Sequence, residues 1–267
     1  MMRAVLLAWS LGPLLWQLRT SFLVGEVLVG GVLPAGVSPW TLANYRLVLD
    51  GDPSLARVLF NSALLGAVTT ALTLSLALPC AFGLQHLQSR LRPLISGALL
   101  GAALFPTVLL FLSLLQLARW LGWANHLLAL ALPYTALSLP LAILLLRAAI
   151  ADLPPELEDA ARLDGLNAPQ RLRRIVAPLL GPALASTGLL VFLASWNEYP
   201  IALTWLSRSD LLTLPAAMGR IASSSVFTIP YGPFAAATVL GSLPLLLLVL
   251  LFQRWIITGL TRGAVKG

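Results

Sequence analysis

Six stretches of the chain, residues 1–18, 60–84, 94–117, 123–146, 181–203 and 234–257, are long apolar runs with at most one Asp, Glu, Lys or Arg each. A helix needs about 20 mostly apolar residues to cross the hydrocarbon core of a bilayer. Of the 267 residues, 58% are hydrophobic and 10% charged, against about a quarter charged in a typical soluble domain. The mean hydropathy is +0.90. A soluble globule of this size lacks the interior to hide so much apolar surface, and such a chain is too apolar to stay disordered. The expected fold is all-α: a polytopic membrane protein with about six transmembrane helices in one domain over residues 1–267. Pro133 and Pro140 inside the fourth run are compatible with this, because neighbouring helices or hydroxyls can satisfy the freed carbonyls.

Basic residues set the orientation. The 17 Lys and Arg residues outnumber 10 acids, for a net charge of +7. In a soluble chain that balance would suggest nucleic acid. Here it follows from arginines in loops, and lipid, not nucleic acid, is the expected surrounding. With the N-terminus in the cytoplasm, 11 of the 17 fall inside, among them Arg90, Arg92, Arg147, Arg171, Arg173 and Arg174, and 6 outside. Both termini are therefore expected in the cytoplasm. The first run is short. Its rival reading is a signal peptide, but no small-x-small cleavage pattern stands near Arg19-Thr20-Ser21. Cys80 is the single cysteine, and His86 and His126 lie on separate segments. No metal site is expected from them.

One long stretch has different chemistry. Residues 151–180 contain Asp152, Glu156, Glu158, Asp159 and Asp164, half the acids of the protein. Pro154-Pro155 can open a helix, and the acids that follow suit its N-terminal dipole. Gly165 suits a helix-ending position in the left-handed region. Asn167 can cap a second helix with Pro169 in its first turn. The expectation is two short helices joined by a turn, with a small, flat Ala160-Ala161 face. By spacing alone a solvated connector is the simpler reading, with a docking element for another protein as the alternative.

This stretch resembles the signature loop of ABC-importer permeases: Glu-Ala-Ala, three residues, Gly, nine residues, Ile, one residue, Leu, Pro. Here the positions are Asp159-Ala160-Ala161, Gly165, Ile175, Ala177 and Pro178, with every spacing kept. Asp159 and Ala177 replace the usual Glu and Leu. Ser195-Trp196-Asn197-Glu198-Tyr199, Leu212-Thr213-Leu214-Pro215 and the ending Gly263-Ala264-Val265-Lys266-Gly267 are similar to the shorter permease of the maltose-transporter type.

The resemblance implies a half-pore, paired with a second permease, two ATP-binding cassette subunits and an extracytoplasmic substrate-binding protein, in a bacterial inner membrane. It implies ATPase coupling through Asp159, Ala160, Ala161, Asp164, Gly165, Ile175 and Pro178, and a second ATPase contact at Gly263–Gly267. No Gly-x4-Gly-Lys-Ser/Thr occurs, and Lys266 is the one lysine. ATP and Mg are accordingly expected on partner subunits, with no cofactor, metal or catalytic residue on this chain.

Asn61, Trp196, Asn197, Glu198 and Tyr199 are candidates for the translocation path. An acid within a span is costly and faces the interior or water, but the same cluster also fits an aromatic belt at the membrane boundary. The expected cargo is a sugar or related solute, with glycerol phosphate or a similar polar solute as alternative cargo. A self-contained channel or carrier is the alternative from another class.

Overall fold

The computed structural model describes residues 2–28, 30, 38–88, 90–222 and 230–261, with the side chains of 3, 4, 8, 26, 28 and 254–261 left aside. The described chain is built from helices: α1 (Met2–Ser21), α2 (Ala43–Leu49), α3 (Leu55–Gln85), α4 (Leu91–Ala103), α5 (Thr107–Trp120), α6 (Leu128–Ala151), α7 (Pro155–Leu163), α8 (Ala168–Leu179), α9 (Gly181–Asn197), α10 (Pro200–Trp205), α11 (Leu214–Ala222) and α12 (Tyr231–Thr261). By length and hydropathy, α3, α6 and α12 can each cross a membrane alone. Five elements qualify if the bent pairs α4–α5 and α8–α9 each count once.

α3 packs most extensively on α6 and then on α9; α9 and α1 pack on α12, and α4 packs on α6. Small residues let these helices approach, as in other membrane bundles. Ala77, Ala81 and Ala142 are essentially inaccessible. A Cβ on Gly66 of α3 would lie 2.8 Å from the Phe192 ring of α9. The core has two parts. One gathers Val58, Leu65, Leu130, Tyr134, Trp196, Ile201 and Trp205 at one end of the bundle. The other gathers Phe82, Leu84, Ile143, Leu146, Ile150, Val176 and Leu180 at the opposite end. The outer faces keep leucines exposed, among them Leu76, Leu94, Leu141 and Leu247.

Several limits differ from the apolar runs. α1 extends past residue 18 to Ser21, and α3 begins at Leu55, five residues before the apolar run, so Asn61-Ser62 lie inside the helix. The run 94–117 is two helices bent by 76°. Pro106 stands at the break, and a residue before proline is pushed out of helical geometry. The run 123–146 starts helical structure only at Leu128. Gly122 and Asn125 before it adopt φ of 71° and 61°, which no helix continues through. α6 then runs on to Ala151, short of Pro154-Pro155. The run 181–203 breaks after Asn197. The run 234–257 lies within the longer α12.

Candidate functional site

Residues 151–180 form the two short helices and the turn that their capping residues predict. α7 opens on Pro155 with Glu156 and Glu158 in its first turn. Its end is closed by two bonds: the Gly165 N–H donates to the Arg162 carbonyl and the Leu166 N–H to the Ala161 carbonyl, each at 3.0 Å. These are the paired bonds of a Schellman ending, with Gly165 at φ 79°. α8 opens on a complete capping box. The Asn167 side chain accepts from the Gln170 N–H at 3.0 Å, and the Gln170 side chain accepts from the Asn167 N–H at 2.9 Å. A π-turn runs over Leu172–Val176. Pro178 accounts for it, since the missing N–H and the ring crowding the carbonyl four residues back disturb the regular ladder. α8 then meets α9 at 81°.

The alanine pair does not form one flat face. Adjacent helical residues point about 100° apart, so Ala161 is buried at 2% exposure while Ala160 faces out. The outward surface of α7 is Glu156, Asp159, Ala160 and Leu163, at the i, i+3, i+4, i+7 spacing of one helix face. Leu163 is 89% exposed. The Asp159–Arg162 pair at 3.5 Å is exposed and contributes little. Asp164 and Gly165 form the turn itself. Ile175 is partly buried and Pro178 exposed on α8.

The break after α9 creates a second site. Glu198 leaves the helix with extended backbone, and Pro200, which cannot donate an N–H back into α9, opens the next helix. The Glu198 side chain then caps α10: Oε1 accepts from the Ile201 N–H at 2.8 Å and Oε2 from the Ala202 N–H at 3.0 Å. The Tyr134 hydroxyl of α6 donates to Oε2 as well. A negative group at a helix N-terminus is favourable, so this carboxylate is held by three donors. Above it lies a cavity of about 210 Å³ lined by Thr107, Tyr134, Ser138, Thr187, Ser195 and Glu198 together with leucines and alanines of α6 and α9.

The neighbouring candidates take other places. Trp196 is 3% exposed, its ring centroid 5.7 Å from that of Phe192. The Asn197 amide donates to the Leu193 carbonyl at 2.8 Å. Tyr199 covers Gly219, where a Cβ would sit 2.6 Å from the ring. Asn61, 4% exposed, donates to the carbonyls of Asp210 and Leu212, both at 3.0 Å. Beside it the Leu214 N–H donates to Ser62 Oγ at 2.8 Å. Of these residues Glu198 alone borders the cavity. Gly263–Gly267 lie outside the described residues. Sequence reasoning missed Tyr134, 64 positions from Glu198, because no local pattern joins them. It also missed Asn125, whose side chain accepts from the Ser207 N–H at 2.6 Å; its nearness to Gly122 was the available signal.

Comparison with known proteins agrees with this architecture. The family described as binding-protein-dependent transport system inner membrane component matches residues 54–262. The trehalose transport system permease protein SugB of Mycobacterium tuberculosis is 34% identical over 264 residues, covering 98% of this chain and 95% of that protein. The trehalose/maltose transport system permease protein MalG of Thermococcus litoralis is 36% identical over 257 residues, covering 96% and 91%. A crystal structure of a bacterial ABC transporter involved in the import of the acidic polysaccharide alginate shares the fold, with TM-score 0.73 and 18% identity over 95% of this chain and 93% of that one. These relatives are permease subunits, non-catalytic components of their transporters. The chain belongs to the family of inner-membrane components of binding-protein-dependent transport systems.

Proposed function

We propose that this chain is one half of the pore of an importer that moves a sugar or a related polar solute inward. Separate cassette subunits hydrolyse the ATP, a second permease completes the pore, and an extracytoplasmic binding protein delivers the cargo. The observation that carries the reading is α7: an exposed helix ended by a Schellman turn at Gly165, presenting Asp159, Ala160 and Leu163 outward. An ATPase would seat on that face, with both termini on the same side of the membrane. Closure of the cassettes would then swing the attached helices as rigid bodies. Sugar cargo rests on the trehalose and maltose systems of the relatives.

The cavity beside Tyr134, Ser138 and Ser195 would line the path, its few hydroxyls set among apolar side chains. Glu198 shapes that path by holding α10. Both its oxygens already accept bonds, so it is not assigned as a cargo ligand.

The test is to capture the tagged chain from its native membrane, identify its partners, and screen the associated binding protein against trehalose, maltose and glycerol 3-phosphate. An ATP-binding cassette protein together with a second permease is expected, with binding of a sugar. Glycerol 3-phosphate binding alone would move the cargo to the alternative class. A chain recovered only with itself would sink the importer reading.

A further inference from the structure

Resting on that reading, we infer that Glu158 is the joint through which movement of α7 reaches two long helices at once, with His86 and Arg171 as its sockets. His86 ends α3, 72 positions before Glu158 in the chain. Its Nε2 lies 2.7 Å from Glu158 Oε2. Its Nδ1 lies 2.8 Å from the Phe82 carbonyl, and the ring packs tilted against Phe82 with centroids 4.4 Å apart. A carbonyl can only accept, so Nδ1 carries a proton there. The Nε2–Oε2 separation is that of a hydrogen bond, so it is a directed polar link between α3 and α7 and not a packing contact. Arg171 Nε stands 3.7 Å from the same carboxylate oxygen, and Arg171 Nη1 donates to the Leu166 carbonyl at 3.3 Å. Glu158 and Arg171 are largely shielded, with side chains 16% and 13% exposed, while that of His86 is 30% exposed.

The rest of α7 gives this contact its weight. Among the described residues no other helix packs broadly on α7, and Ala161 is its one buried side chain. The outward face carries Asp159, Ala160 and Leu163. Glu158 and Ala161, three apart, share the inward face. A force on the outward face therefore passes inward through the Glu158 carboxylate. One branch goes through His86 into α3, and the other through Arg171 into α8 and the 81° elbow before α9. Without the carboxylate, α7 keeps its chain connections and its docking face but loses its grip on α3. His86, Glu158 and Arg171 are thus positioning residues, distinct from the surface that meets the ATPase.

Cys80, the single cysteine, is exposed on α3 less than two turns before His86 and reports on that helix without new labels. The experiment captures the whole assembly through a tag on this chain. It measures ATP hydrolysis and the rate of Cys80 reaction with N-ethylmaleimide, with and without ATP plus vanadate. In the wild type, trapping should change the Cys80 rate at least threefold. His86→Leu and Glu158→Gln should abolish that change while hydrolysis stays within twofold. The double variant should be no worse than either single one. His86→Gln, whose amide can still donate to Glu158, should keep the response.

A wild-type Cys80 rate that ignores ATP and vanadate overturns the joint. So does a response that survives His86→Leu and Glu158→Gln, or one lost equally in His86→Gln. Should no ATP-hydrolysing partner be captured even with the wild-type chain, the importer reading itself falls. Capture with every variant and an unaltered Cys80 response removes the joint alone.

Discussion

The two ends of the bundle are held in opposite ways. At the end where α3 begins, side chains hold loops in place through hydrogen bonds, several of them buried. Asn44 donates to the Ser21 and Leu23 carbonyls, Asn61 to those of Asp210 and Leu212, Asn125 gathers Ser207 and Arg208, and Glu198 caps α10. At the end where α3 stops, α7 stands out with its outward face exposed and meets the bundle through the Glu158 carboxylate and the buried Ala161. The first arrangement makes a stiff block, because each buried polar group would be left without a partner if its loop moved. The second leaves a helix with few contacts, the arrangement the proposed joint requires. The contrast teaches that polar residues in this apolar chain fasten loops at one end and, at the other, link a lightly packed helix to α3 and α8.

The largest expected effect breaks the stiff end. Asn61→Ala removes two donated bonds at a buried site and should destabilise by about 3 kcal/mol. For a chain of this size that is roughly 6–12 °C in Tm, read by thermal unfolding of the purified chain in detergent. An unchanged Tm would show that the 209–214 segment is held by something else.

Glu198→Ala should cost about 2 kcal/mol through the lost cap. Tyr134→Phe should cost about 1 kcal/mol alone and almost nothing in the Glu198→Ala background, since the two share one interaction. Additive losses in that double-mutant cycle would separate the tyrosine from the cap.

Gly165→Ala probes the other end. A Cβ there meets nothing within 4 Å, so the cost is conformational only, about 1 kcal/mol for an L-residue held at positive φ. Tm should barely move, while the amount of ATPase captured with the chain should fall. Gly165→Asn, which tolerates that conformation better, should fall less. A large Tm loss for Gly165→Ala would place the turn in the stiff part of the molecule.

The smallest effect is electrostatic. The hydrogen bond from Arg208 holds the Asp210 carboxyl below its ordinary value of 3.8. A carboxyl lowered in the folded state adds stability above that ordinary value and loses it as pH falls toward the folded one. The Asp210 side chain is 41% exposed and well screened, so Arg208→Ala should lower Tm only slightly at neutral pH, the two curves converging as pH falls below about 4. A difference that grows as pH falls below 4 would mean Arg208 acts otherwise.

How much of this was legible depended on the range of the interactions. The turn at Gly165 and the capping box at Asn167–Gln170 were legible because each is closed by bonds within five residues. The helix breaks were partly legible: Pro106 and Pro200 were visible, but apolar runs on both sides masked them. The candidate path residues were read from polarity inside an apolar run, which cannot tell a residue that faces a cavity from one that clamps a loop. Asn61 and Trp196 are buried, and Glu198 is occupied by α10 and Tyr134.

The sequence by itself determined that the chain is a bundle of apolar helices with one polar, helix-forming loop. Apolar transfer and capping are local properties that accumulate along the chain in order. Only the tertiary structure decided which polar groups meet: Asn61 with Asp210, Glu198 with Tyr134, Glu158 with His86. Those pairs lie 149, 64 and 72 positions apart, and their meeting depends on how α3, α6 and α9 stack, which no single segment encodes.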